Sequence, residues 1–211
     1  MKIELKQIIP GPLPAPLVTA SQIWGKDLTL KEGQSILAYA PSGKGKSTLL
    51  HILYGLRNDF KGSFSLSNSL SGEQTFEDWQ EWRSQKLSIL FQDLRLFPHL
   101  TARENLDLLP VLSPHAPPVE EWGERLEVSA LLDQKISTLS LGQRQRIALI
   151  RCLRKPFRWL FLDEPFSHLD RPNTELAVRL IEEVRQKNGA GLILTSLQEI
   201  SPLVCDRSIQ L

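Results

Sequence analysis

The ten residues "YAPSGKGKST", Tyr39 to Thr48, constrain this chain more than any other stretch, because an apolar run, "QSILAYA", leads into them and a helix-period run, "KSTLLHILYGL", leads out. That order predicts a strand, a tight loop and a helix closed by Gly55. A loop so placed points successive backbone N–H groups into one concavity at a helix N-terminus, whose dipole favours anions. The stretch nearly matches the phosphate-binding pattern G-x-x-x-x-G-K-[ST], with Ala40 where the first glycine belongs. Alanine fits where a strand leaves a sheet unless that residue needs positive φ, so the cradle is expected to survive. Its candidate nucleotide contacts are Ala40, Pro41, Ser42, Gly43, Lys44, Gly45, Lys46, Ser47 and Thr48. Lys46 is expected at the β- and γ-phosphates, and the Ser47 hydroxyl at Mg²⁺.

Elsewhere, "GSFSLS" alternates like a strand, "TFEDWQEWRSQ" has helical spacing with Thr75 as its cap, and "KLSILFQ" reads as a buried strand. "TARENLDLL" and "VEEWGERLEVSALLD" are helix candidates separated by the prolines of "PVLSPHAPPV". A helix from "LGQRQRIALIRCL", a strand "WLFLDEP", a helix "TELAVRLIEEVRQKNG" with a glycine stop, and strands "AGLILTS" and "RSIQL" complete the chain. Alternating strands and helices imply a mostly parallel sheet covered on both faces. The 211 residues are expected to form one domain, with a helical subdomain at about 73–155 inserted in the core.

The strand "WLFLDEPF" ends in two carboxylates. Asp163 at the sheet edge beside the loop is placed to hold Mg²⁺, and Glu164, the next residue, to orient and deprotonate an attacking water. An acidic pair after a strand is weak evidence alone, but joined to the loop it is strong.

With those pieces in place, "LSLGQRQRIALIRCL" resembles the L-S-G-G-Q signature of ATP-binding-cassette (ABC) ATPases, with Leu141 replacing the first glycine of the pair. "LFQDLRLFPHLTARENL" resembles that family's Q-loop with Gln92 as its glutamine, and "SHLD" its D-loop ending at Asp170. The resemblance covers nearly the whole chain in family order and spacing. It implies an α/β fold, a P-loop NTPase sheet of mostly parallel strands with an antiparallel β edge and an inserted α-helical subdomain. It also implies ATP with Mg²⁺ held by Ser47, Gln92 and Asp163, and a second copy of the chain whose Ser140, Gly142, Gln143 and Asp170 complete the site in trans. Catalysis would rest on Glu164, Gln92 and Lys46. The implied function is the ATP-hydrolysing subunit of an ABC transporter, dimerising on ATP to drive a separate transmembrane permease from the cytoplasmic face of the membrane. The alternative is a mechanical regulator of a membrane partner, as in the family's cell-division members. "KSTLLHILYGL" resembles lipoprotein-releasing and cell-division members and "FQDLRLFPHLT" resembles anion importers, so direction stays open.

The family's late threonine-histidine-aspartate run reads "ILTSLQEI" here, with Ser196 at the histidine position and Leu197 at the aspartate's. Ser196 is short and never cationic, so slow hydrolysis is expected. His168, inside "SHLD", and His51 read as packing residues, while His99 and His115 fall in loops. Trp24 reads as a core residue, which leaves the adenine against Leu17 or Val18, and "PGPLPAP" reads as a stiff surface segment. Arg144, Arg146, Arg151 and Arg154 read as a solvated helix face, and Leu94, Leu96, Phe97 and Leu100 as filling of the helical lobe. Lys plus Arg number 25 against 24 acidic residues, which gives no reason to expect a nucleic acid partner. Cys152 and Cys205 form no metal or redox pattern and read as core residues of a protein in a reducing cytosol. No apolar run approaches the ~20 residues needed to span a bilayer, so a membrane role must come through a partner.

Overall fold

The computed structural model describes residues 1–11, 13–66, 69–70, 75–114, 116–199 and 201–211. His115 and the expected start of the helical subdomain at residue 73 lie outside the described residues. In chain order the elements are β1 (Lys2–Pro10), α1 (Ala15–Ala20), β2 (Asp27–Lys31), β3 (Ser35–Tyr39), α2 (Lys46–Leu53), β4 (Phe60–Leu66), β5 (Ser69–Leu70), α3 (Phe76–Gln85) and β6 (Leu87–Leu90). They continue with α4 (Ala102–Asp107), α5 (Val119–Arg125), α6 (Leu141–Leu153), β7 (Trp159–Asp163), α7 (Arg171–Asn188), β8 (Gly191–Ser196) and β9 (Arg207–Gln210).

Five parallel strands form one sheet in the order β6-β7-β8-β3-β9. The antiparallel part is a separate four-stranded sheet, β2-β1-β4-β5. Period-2 alternation explains why the parallel strands are apolar throughout. Leu160 and Leu162 of β7 and Leu192 and Leu194 of β8 enter one core with α6 and α7. Trp159, Phe161 and Ile193 enter the other with α2 and the antiparallel sheet, against Leu49, Leu50, Ile3 and Phe64. Each such side chain contributes about 1.5–3 kcal/mol on burial.

The N-terminal strand is the main element that the motifs left unread. Ile3 and Leu5 of β1 are buried, and a register shift between Lys6 and Ile9 accompanies positive φ at Gln7. The proline-rich segment, expected to be merely stiff, carries the short helix α1. The expected helix from residue 119 to 133 stops at Arg125, because Arg146 Nη1 takes the carbonyls of Leu126 and Glu127 at 2.7 and 3.2 Å and Glu127 turns to φ 53. Thr75, Thr101 and Ser140 each start their helix with a reciprocal capping box. Within the span 73–155, β6 returns to the parallel sheet, whereas α4 and α5 pack on α6 beside it.

Candidate active site

The phosphate loop leaves the C-terminal end of β3, the edge where open α/β sheets bind ligands. Ala40 N–H donates to Ser196 O at 3.1 Å, which ties the start of the loop to the end of β8. Ala40 is fully buried in the core that holds Trp24 and has no positive φ, so a methyl group is accepted where the pattern has glycine. Glycine is needed instead at Gly45, where φ is +97° and a Cβ would approach the Trp24 ring to 3.3 Å. Trp24 is thus the floor of the loop, 0% exposed, as the core reading expects.

Lys46 Nζ donates to Ala40 O at 2.8 Å and Pro41 O at 3.2 Å and lies 3.3 Å from Glu164 Oε1. Asp163 closes β7 and is buried, and its Oδ1 accepts the Thr195 hydroxyl at 2.7 Å. The same Thr195 oxygen accepts the Glu164 N–H at 3.1 Å. Glu164 carries φ 49°, a conformation that costs a non-glycine residue about 1–2 kcal/mol. A second clamp holds it there. The buried Gln145 of α6 donates to Glu164 O at 3.2 Å and Pro165 O at 2.5 Å, and accepts the His168 N–H at 3.1 Å.

A cleft of about 310 Å³ is lined by Gly43, Gly45, Lys46, Ser47, Thr48, Gln92 and Glu164, with Pro10, Gly11, Leu13 and Pro14 as a further wall. A second hollow of about 270 Å³ shares Ser47 and Gln92 with it and adds His51, Phe91 and Asp163. Ser47, Gln92 and Asp163 therefore meet in one place, and their hydroxyl, amide and carboxylate oxygens are the hard donors that Mg²⁺ takes. Ser140, Gly142, Gln143 and Asp170 line neither hollow. Ser140 and Gln143 cap α6 reciprocally, at 2.8 and 3.3 Å, and Asp170 caps α7 by accepting from Asn173 N at 3.0 Å. Ser140 and Asp170 stand at the surface. Gly142 abuts the "SHLD" turn, where a Cβ would come within 2.7 Å of His168 O, while Leu141 is 39% exposed.

The ABC transporter family model matches residues 25–167, more than half of the chain. The chain belongs to the ABC transporter family. It is 34% identical over 179 residues to the thiamine import ATP-binding protein ThiQ of Vibrio vulnificus, a match covering 81% of this chain and 72% of that protein. It is 31% identical over 189 residues to the lipoprotein-releasing system ATP-binding protein LolD of Nitratidesulfovibrio vulgaris, covering 85% and 80%. The solved dimeric structure of MJ0796, a bacterial ABC transporter cassette, superposes with a TM-score of 0.76 at 26% identity, covering 93% of this chain and 88% of that one. The chain is an ATP-binding ABC ATPase of the kind that serves transporters.

Several residues of this ABC ATPase differ from their sequence reading. Pro10, Gly11, Leu13 and Pro14 wall the cleft beside the phosphate loop, and Val18, one of the two residues expected at the adenine, packs towards Gly25. The arginine stripe of α6 is no solvated face. Arg146 holds the end of α5, Arg151 donates to Leu94 O at 2.7 Å, and the buried Arg154 donates to Leu106 O at 3.2 Å. The His168 ring is exposed rather than packed, with Nδ1 2.9 Å from Ser167 Oγ. His51 tilts against Phe91 at 5.9 Å, and burial lowers its pKa. Leu94 is buried as expected but Phe97 is 56% exposed. Cys152 is buried, which raises its thiol pKa to about 11, and Cys205 is only half-buried. Ser196 Oγ accepts from Gln198 N at 3.1 Å, and the neighbouring Leu197 is 52% exposed. Sequence reasoning missed Thr195 and Gln145, whose partners lie across the fold.

Proposed function

We propose that this chain is the nucleotide-binding subunit of an ABC transporter, working as an ATP-sandwiched homodimer on the cytoplasmic face of a separately encoded transmembrane permease. The observation that carries the reading is the convergence of Lys46, Ser47, Gln92, Asp163 and Glu164 on two adjoining hollows at one sheet edge. Within the site, Lys46 exchanges its contacts with Ala40 O, Pro41 O and Glu164 for the β- and γ-phosphates, which frees the Glu164 carboxylate to take a proton from water. Mg²⁺ would be held by Ser47, Gln92 and Asp163 and would supply charge neutralisation for the triphosphate. The adenine rests on the Pro10–Pro14 wall. Ser140, Gly142, Gln143 and Asp170 of a second copy cover the triphosphate, a role supported by the surface position of Ser140 and Asp170 and by the absence of all four from the lining of their own chain's clefts.

Work comes from the stronger binding of ATP to the closed pair than to the open one. The helical lobe within 73–155 meets the permease, and the exposed Phe97 belongs to that face. No helix among the described residues is long and apolar enough to cross a membrane, in keeping with a permease on a separate chain. The relatives named for thiamine import and lipoprotein release leave cargo and direction to the permease.

The test combines Glu164→Gln with Mg²⁺ and ATP. Turnover should fall by about 10²–10⁴, and light scattering should report a nucleotide-bound dimer where the apo chain is a monomer. Capture from native membranes should bring down a protein of many spans. A monomer at saturating ATP even with that partner present would end the dimer reading, and a partner with few spans and a large external domain would favour mechanical work over transport.

A further inference from the structure

Arg57 belongs to none of the motifs, yet it lines the nucleotide cleft. It follows α2 in the turn towards β4, and its guanidinium reaches back to the start of that helix. Nε and Nη2 hold the two carboxylate oxygens of Asp59 at 2.5 and 2.8 Å, Nη2 also donates to Gly11 O, and Nη1 donates to Thr48 Oγ1 at 3.3 Å. One planar group thereby touches both sides of the cleft, the helix that carries the phosphate loop and the Pro10–Pro14 wall. A guanidinium has five N–H donors, and among the described residues these contacts leave one Nη1 hydrogen without a partner on a side chain that lines the cleft.

In the nucleotide-binding reading, on which this inference rests, the terminal phosphates lie at Gly43–Ser47 and the base at Pro10–Pro14. The segment of ATP between them is the α-phosphate with its ribose. We propose that Arg57 is a nucleotide-binding residue that donates its remaining Nη1 hydrogen to the α-phosphate, with Asp59 as the group that fixes the guanidinium plane. A charged donor held in place beforehand loses little rotamer freedom when the anion arrives. Because ATP and ADP share the α-phosphate, the contact is equal for substrate and product. It sets affinity without acting on the chemical step.

The experiment measures Mg²⁺-ATP and Mg²⁺-ADP affinity by calorimetry, steady-state kinetics and melting temperature for the full chain and for Arg57→Ala, Arg57→Lys and Lys46→Ala. Arg57→Ala should weaken both nucleotides by the same factor, about tenfold, raising KM with kcat unchanged. Arg57→Lys, which keeps the charge, should recover part of the loss at an unchanged melting temperature. Unaltered affinity in Arg57→Ala, while Lys46→Ala loses binding, overturns the assignment. So does a loss that accompanies a lower melting temperature and is no smaller in Arg57→Lys, which makes the side chain a strut between Gly11 and Thr48. If the unmodified chain binds neither nucleotide, the nucleotide-binding reading itself fails, and that result is distinct from both.

Discussion

A single hydroxyl, that of Thr195, ties both acidic residues of the site, donating to the Asp163 carboxylate and accepting from the Glu164 backbone amide. Its neighbour Ser196 stands where the family pattern read from the sequence expects a histidine, and its oxygen accepts from the Gln198 amide. The serine cannot reach as far as an imidazole or carry its charge. Ser196→His is therefore expected to raise steady-state phosphate release by about 10²-fold, the lower end of what one positioned acid–base group contributes. No gain, in a variant that still binds ATP, would mean that the serine does not limit the rate. Ser196 drew notice in the sequence because a linear motif runs through it. Gln145 was not, since its partners at Pro165 and His168 lie twenty or more positions away and only the packing of α6 on the end of β7 brings them near.

At the level of elements, α6 packs on β6, α4 and α7 and holds the end of α5. Spacing alone showed an amphipathic helix with four arginines, and exposure was the natural inference from charge. Three of them instead satisfy carbonyls at Leu94, Leu106, Leu126 and Glu127, where those segments end or turn. β9 is held comparably. Asp206, just before it, accepts from Ser35 N and Ser35 Oγ at 2.7 and 2.9 Å, and the Ser35 amide hydrogen bond lowers the Asp206 pKa below its usual 3.8. A lowered carboxylate pKa stabilises the fold above the unfolded value, and that contribution disappears as pH falls through the folded value. The gap in urea midpoint between the unmodified chain and Asp206→Asn should accordingly be full at neutral pH and close below about pH 4. A gap that stays constant across that range would show that the ionised form contributes nothing.

For the whole molecule, the decisive question is whether each site spans two chains. Lys46 sits in a cleft that the chain's own Ser140, Gly142, Gln143 and Asp170 do not line. Lys46→Ala disables the loop, whereas Ser140→Asp keeps an N-cap on α6 but turns a negative charge towards an arriving phosphate. Each variant alone should lack turnover, and an equimolar mixture should regain a measurable part of it, because a mixed dimer holds one intact pair of loop and signature. A mixture as silent as its components would place the signature outside the site.

The amino-acid order by itself made the loop after β3, the acidic end of β7, the capped start of α6 and their succession along the chain legible, since each depends on residues within one turn or strand of one another. It also carried the strand–helix alternation that makes a parallel sheet. Tertiary structure alone decided what lies against what: the antiparallel sheet over α2, Pro10, Gly11, Leu13 and Pro14 beside the phosphate loop, Trp24 beneath Gly45, and Arg57 between Gly11 and Thr48. Those pairings join residues far apart in sequence, and they are chosen by the joint burial of two sheets, which no local pattern encodes.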